Sequence, residues 1–184
     1  MARRLYLDNA ATSNPKPPAV MQAMVDYATR LGASPGRGAY AEVREAGGLL
    51  QRCRERISEL VGGREPNNVI FTLNATDGLN LALHGVLKPG DHVVTTWLDH
   101  NSVLRPLNHL AERGVEVTRL RCDPETGLVS PEDVRRALRP NTRLIATLHG
   151  SNVTGTLQPL AELGSIARER GVLINVTAER VVRL

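Results

Sequence analysis

His92-Val93-Val94-Thr95-Thr96, the turn Trp97-Leu98-Asp99-His100-Asn101 and then Ser102-Val103-Leu104-Arg105-Pro106 form the stretch that decides the fold. The first run is short, apolar and rich in β-branched side chains, the pattern of a buried strand. The chain then turns and enters a helix predicted over 102–113, with Gly114 as its C-terminal stop. A strand that feeds a helix after one short turn is half of a βαβ unit.

The same alternation runs outward in both directions. Downstream, the patterning predicts strands over 115–120, 143–148 and 172–176. Asp123-Pro124-Glu125-Thr126-Gly127 is a turn. Ser130 is a helix N-cap with Pro131 at the first helical position, and a further helix covers 160–170 before Gly171. Upstream, helices are predicted over 18–31, 42–61 and 77–87, with a Gly/Pro loop at 33–38 and a short buried strand at 68–72. Alternating helices and apolar strands imply an α/β fold whose mostly parallel sheet is covered on both faces. A dinucleotide-binding Rossmann domain competes for this pattern, but no GxGxxG follows the first strand.

Composition removes several function classes. The 184 residues carry a net charge of +4, and their Arg residues alternate with acids on helices, as in Arg52-Cys53-Arg54-Glu55-Arg56. Aromatic residues make up only 3%, so the stacking platform of a nucleic-acid binder is missing. No apolar run is long enough for a membrane span, and Met-Ala-Arg-Arg-Leu-Tyr-Leu-Asp is no signal-peptide core. A cytoplasmic location is the resulting expectation. Cys53 and Cys122 have neither CxxC spacing nor metal-ligand company and read as packing or surface residues.

Three positions can carry chemistry. Asn74-Ala75-Thr76-Asp77 lies between the strand predicted at 68–72 and a helix, where free amides and the positive helix end favour a phosphate. Thr76 adds a hydroxyl donor there, or is simply the N-cap. His100 follows the end of a strand, where parallel sheets collect ligands; a lone loop histidine is more often an ordinary polar surface residue. Asn152 follows the strand at 143–148 and offers an amide, or serves as a turn residue with Gly155.

Five segments occur in an order that resembles one family. They are Tyr6-Leu7-Asp8-Asn9-Ala10-Ala11-Thr12, Pro35-Gly36-Arg37-Gly38, Phe71-Thr72-Leu73-Asn74-Ala75-Thr76-Asp77, Asp99-His100-Asn101-Ser102-Val103-Leu104-Arg105-Pro106 and Ser151-Asn152-Val153-Thr154-Gly155-Thr156. Together they resemble the class V aminotransferases that depend on pyridoxal 5′-phosphate (PLP), and their cysteine-desulfurase-like branch in particular. The resemblance implies an incomplete fold-type I large domain over 17–176, preceded by a loop segment at 1–16 and followed by an aberrant tail at 177–184. It implies phosphate binding at Asn74, Ala75 and Thr76, a His100 ring stacked on the pyridine, and Asn152 on the phenolate oxygen. Asn9, Ala10 and Arg37 would belong to substrate loops. Cysteine is the implied substrate and a homodimer the implied assembly, with transamination or selenocysteine lysis as alternatives.

The pattern then breaks. Where the family has Val-Asp-Ala-Ala-Gln, this chain has Val176-Thr177-Ala178-Glu179-Arg180. Thr177 cannot supply the negative charge that pairs with the protonated ring nitrogen. The chain's two lysines, Lys16 in a Pro-rich turn and Lys88 before Pro89-Gly90, do not match the family's Schiff-base lysine. The expectation is a truncated or frameshifted family member with no turnover of its own; the alternative is a non-enzymatic fragment.

Overall fold

The computed structural model describes Leu5, Tyr6 and residues 12–178, so Asn9, Ala10 and Arg180 lie outside the described residues. The chain divides into two compact units, with the boundary between Ile70 and Phe71.

The first unit is helical. Helix α1 (Pro18–Asp26) continues as a π-helical turn, Tyr27–Leu31, and stops at Gly32, whose φ of 53° is left-handed. Helix α2 (Ala41–Leu60) follows, and then a 3-10 turn, Pro66–Asn68. The strand predicted at 68–72 does not form. Its apolar run has the composition of a strand, but no described strand pairs with it, and Ile70 and Phe71 are exposed. A strand is stabilised by its neighbours, so an apolar run without one stays irregular.

The second unit is the expected α/β body. It contains α3 (Ala75–Val86), β1 (His92–Thr96), α4 (Asn101–Glu112), β2 (Glu116–Leu120), α5 (Pro131–Ala137), β3 (Thr142–Leu148), α6 (Leu160–Arg170) and β4 (Leu173–Thr177). The four strands are all parallel, in the order β2-β1-β3-β4. Alternate residues of a strand face opposite sides, and two cores result. On one side Val93, Leu144 and Ala146 pack with Leu79 and Leu83 of α3 and Val103, Leu107 and Leu110 of α4. On the other, Ile145 and Ile174 pack with Val134 of α5 and Leu163 and Ala167 of α6. Ser130 accepts from the Asp133 amide at 3.2 Å, as its sequence position as N-cap requires.

The end of the sheet away from the loops is tied by a buried histidine. His92 is inaccessible; its Nδ1 lies 2.7 Å from Thr142 Oγ1 and its Nε2 2.8 Å from Thr118 Oγ1, so one ring joins β1, β2 and β3. Burial pushes its pKa down, Arg139 pushes it down further, and Glu116 partly opposes them. The folded state therefore keeps His92 neutral where the unfolded chain takes up a proton. Stability from this group is complete above the ordinary histidine value of about 6.5 and is lost as pH falls below it. Urea midpoints at pH 7.5 and 5.5 are expected to show a drop that is smaller in His92→Gln; an equal drop in both proteins would remove His92 as the cause.

Candidate functional site

Strand order sets where a ligand can sit. From β1 the chain passes to β2 on one side, and from β3 to β4 on the other. The turn after β1 and the loop after β3 thus leave a switch point in opposite directions, which is where open parallel sheets bind ligands. The ladder between β1 and β3 is recorded for His92, Val93 and Val94. Beyond it sits Asp99, only 4% exposed. Asp99 Oδ2 accepts from Thr95 Oγ1 at 2.9 Å, the Thr96 amide at 2.9 Å and Thr96 Oγ1 at 2.8 Å. Oδ1 is buried without a hydrogen-bond partner. Burial pushes the Asp99 pKa up, held partly back by the Thr96 amide and hydroxyl, by Thr95 and by the Leu148 amide.

The carboxylate thereby fixes the turn that delivers His100. His100 is the N-cap of α4: its Nδ1 accepts from the Ser102 amide at 3.1 Å. A concavity of about 410 Å³ opens beside it, lined by Thr76, Asn80 and His84 of α3, by His100, and by Ser102, Arg105 and His109 of α4. Thr76 and His100, read separately from the sequence, share this concavity. The cap of α3 is Asn74, whose Oδ1 accepts from the Asp77 amide at 2.9 Å. Thr76 is therefore not the N-cap. The Ala75 and Thr76 amides have no helical acceptor behind them, and the Thr76 hydroxyl stands at the same end. Arg105 forms no ion pair among the described residues, so a cation is available for an anion there.

Asn152 lies elsewhere in the loop after β3. Ser151 Oγ accepts from the Val153 and Thr154 amides at 3.2 and 3.1 Å, and Gly155 closes the turn with φ 74°. Asn152 is exposed and does not line the concavity. Thr154 and Thr156 of the same loop line a second concavity of about 530 Å³, with Trp97, Arg121 and Cys122. Gln158 anchors this loop: its Nε2 donates to the Gly127 carbonyl and its Oε1 accepts from the Val129 amide. Arg37 belongs to the first unit, exposed in the loop before α2.

Sequence reading missed Asn80, His84, Arg105 and His109. Their signal was a spacing of four: Thr76, Asn80 and His84 recur along one face of α3, and Asn101, Arg105 and His109 along one face of α4.

The groups at the start of α3 suit an anion. Two free amides, a hydroxyl and an unpaired guanidinium fit an anion. At the end of β4, the Thr177 hydroxyl is buried without a hydrogen-bond partner. Lys88 follows the C-terminus of α3, while Thr76 is in its first turn; the ten helical residues after Thr76 put the end of the helix about 15 Å from it. Lys16 donates to Thr12 Oγ1 and the Ser13 carbonyl in its own turn. Burial pushes the Cys122 thiol up, with Asp99 adding to the effect and Thr96 opposing it, so this cysteine is no ready thiolate. Among the described residues no cluster of three metal-ligating side chains exists, and no helix is long and apolar enough to cross a membrane.

Comparison with known proteins identifies the relatives of this chain. A probable cysteine desulfurase of Methanothermobacter thermautotrophicus is 36% identical over 97% of this chain and 44% of its own length. The solved structure of SspA in complex with cysteine superposes with a TM-score of 0.84 at 31% identity, over 93% of this chain and 49% of that one. A NifS-like protein superposes at 0.87 with 26% identity, over 96% of this chain and 49% of that one. The chain thus spans about half the length of these relatives. The pattern of the family described as aminotransferase class V matches residues 5–180. By that match and by its fold, this chain belongs to the class V aminotransferase family.

Proposed function

We propose that the chain carries the phosphate-binding and ring-binding side of a PLP-dependent site acting on cysteine, and that alone it binds PLP without turning over substrate. The observation that carries this reading is the single concavity joining the first turn of α3 to His100. The Ala75 and Thr76 amides and the Thr76 hydroxyl would hold the phosphate, with the helix end favouring its charge. The His100 imidazole would lie against the pyridine ring, whereas Asn152, outside this concavity, is given no contact with it. PLP, when bound, supplies an electron sink for bonds at the α-carbon of an amino acid. Thr177 could not hold a proton on the ring nitrogen as a carboxylate does, and Lys88 follows the opposite end of α3 from Thr76. Cysteine as substrate is supported by the relatives named as desulfurases and by the SspA complex with cysteine. A homodimeric, cytoplasmic assembly belongs to the same reading.

Trp97, the single tryptophan, precedes the His100 turn and reports binding by its fluorescence. PLP is expected to quench it, inorganic phosphate to compete, and pyridoxal lacking the phosphate to bind more weakly. Thr76→Ala should weaken PLP about tenfold, the cost of one hydrogen bond to a charged group. Incubation with PLP and cysteine should release no sulfide above free PLP. Pyridoxal binding as tightly as PLP would defeat the phosphate assignment. Sulfide well above background, abolished by His100→Ala, would defeat the expectation of no turnover.

A further inference from the structure

The far end of the groove between α3 and α4 carries a pair of histidines. His84 and His109 stand in the last turns of the two helices, and their rings meet across the groove with centroids 6.0 Å apart and planes at 58°. Thr76 and Ser102 line the same concavity from the first turns, so the helices run side by side in one direction. The start of the groove therefore exposes amides. Its end exposes the carbonyl ends of both helices, which favour a cation.

His109 also has a carboxylate beside it, with Glu112 Oε2 3.6 Å from its Nδ1. A carboxylate at one ring nitrogen is the arrangement that orients a histidine to bind a metal through the other. The backbone beneath the pair is held in place, because Leu83, Leu107 and Leu110 are buried in the core. The two imidazoles themselves are exposed, so an ion reaches them from solvent.

We propose that His84 and His109 form a two-histidine site for a divalent cation of the zinc, nickel or copper class. Imidazole nitrogens suit these ions, whereas magnesium and calcium want oxygen ligands. An ion bonded to one nitrogen of each ring at about 2.1 Å leaves the ring centres about 5–6 Å apart, the spacing found here. Among the described residues no third histidine, cysteine or carboxylate completes a cluster, so water fills the remaining positions. Arg105 stands one turn before His109, toward the end of the groove that suits an anion. The site does not depend on PLP.

The test is calorimetric titration of the full chain with Zn²⁺, without PLP, on proteins whose helix content by circular dichroism matches the wild type. One ion per chain should bind. His84→Gln and His109→Gln should each weaken it about tenfold or more. The double variant should bind little more weakly than either single one, because losing one arm already breaks the chelate. Thiols also attract zinc, so the variant with both Cys53→Ser and Cys122→Ser is the control and should bind as the wild type does. No binding by the wild type, binding that survives either histidine substitution, or binding lost in the cysteine control overturns the proposal.

Discussion

Replacing Asp99 by alanine is expected to lower the unfolding free energy by about 3 kcal/mol, read as a shift in the urea midpoint. Three donors converge on Oδ2, and alanine leaves them without an acceptor in a buried place. The hydroxyls of Thr95 and Thr96 can rotate to new partners; the Thr96 amide cannot. Asp99→Asn keeps an oxygen for these donors and should cost about 1 kcal/mol or less. The two variants also separate by pH. Burial raises the Asp99 pKa, so the folded state holds the proton more tightly than the unfolded chain. From this group the wild type therefore gains stability as pH falls from the raised value toward the ordinary 3.8, and Asp99→Asn does not. An alanine variant as stable as the wild type would show that the carboxylate does not hold the turn.

Leu107→Ala should cost about 3 kcal/mol as well, within the 2–5 kcal/mol range of buried leucine truncations. Leu107 is inaccessible and lies in the core that binds α3 and α4 to the sheet. Those two helices carry Thr76 and His100, so the cavity is expected to loosen the concavity and weaken quenching of Trp97 by PLP. Leu163→Ala is the control. It is equally buried but belongs to the opposite core, with α5 and α6. A comparable loss of stability with unchanged PLP binding is expected there. Equal weakening of PLP by both variants would mean that general stability, not the α3–α4 pair, governs the site.

The helices, the four strands and the N-cap at Ser130 were legible because each depends on neighbours in sequence. Thr76 was legible from the helix start in which it stands and His100 from the strand β1 that precedes its turn, and the structure brings both to one concavity. Strand 68–72 was misread because composition is only half of a strand, and its partner has no local signature. Asn80, His84, Arg105 and His109 escaped because a polar residue on a helix reads as solvated until another helix faces it.

The sequence by itself determined the α/β class, the free amides in the first turn of α3, and the family. These follow from local periodicity, from free amides that any helix start exposes, and from residue identity. Tertiary structure alone decided the strand order β2-β1-β3-β4 and hence the switch point between β1 and β3. It also decided which helix faces meet and where Asp99 Oδ2 finds its donors. Parallel pairing joins residues such as His92 and Thr142, fifty positions apart, and no local pattern records which distant strand will be the neighbour.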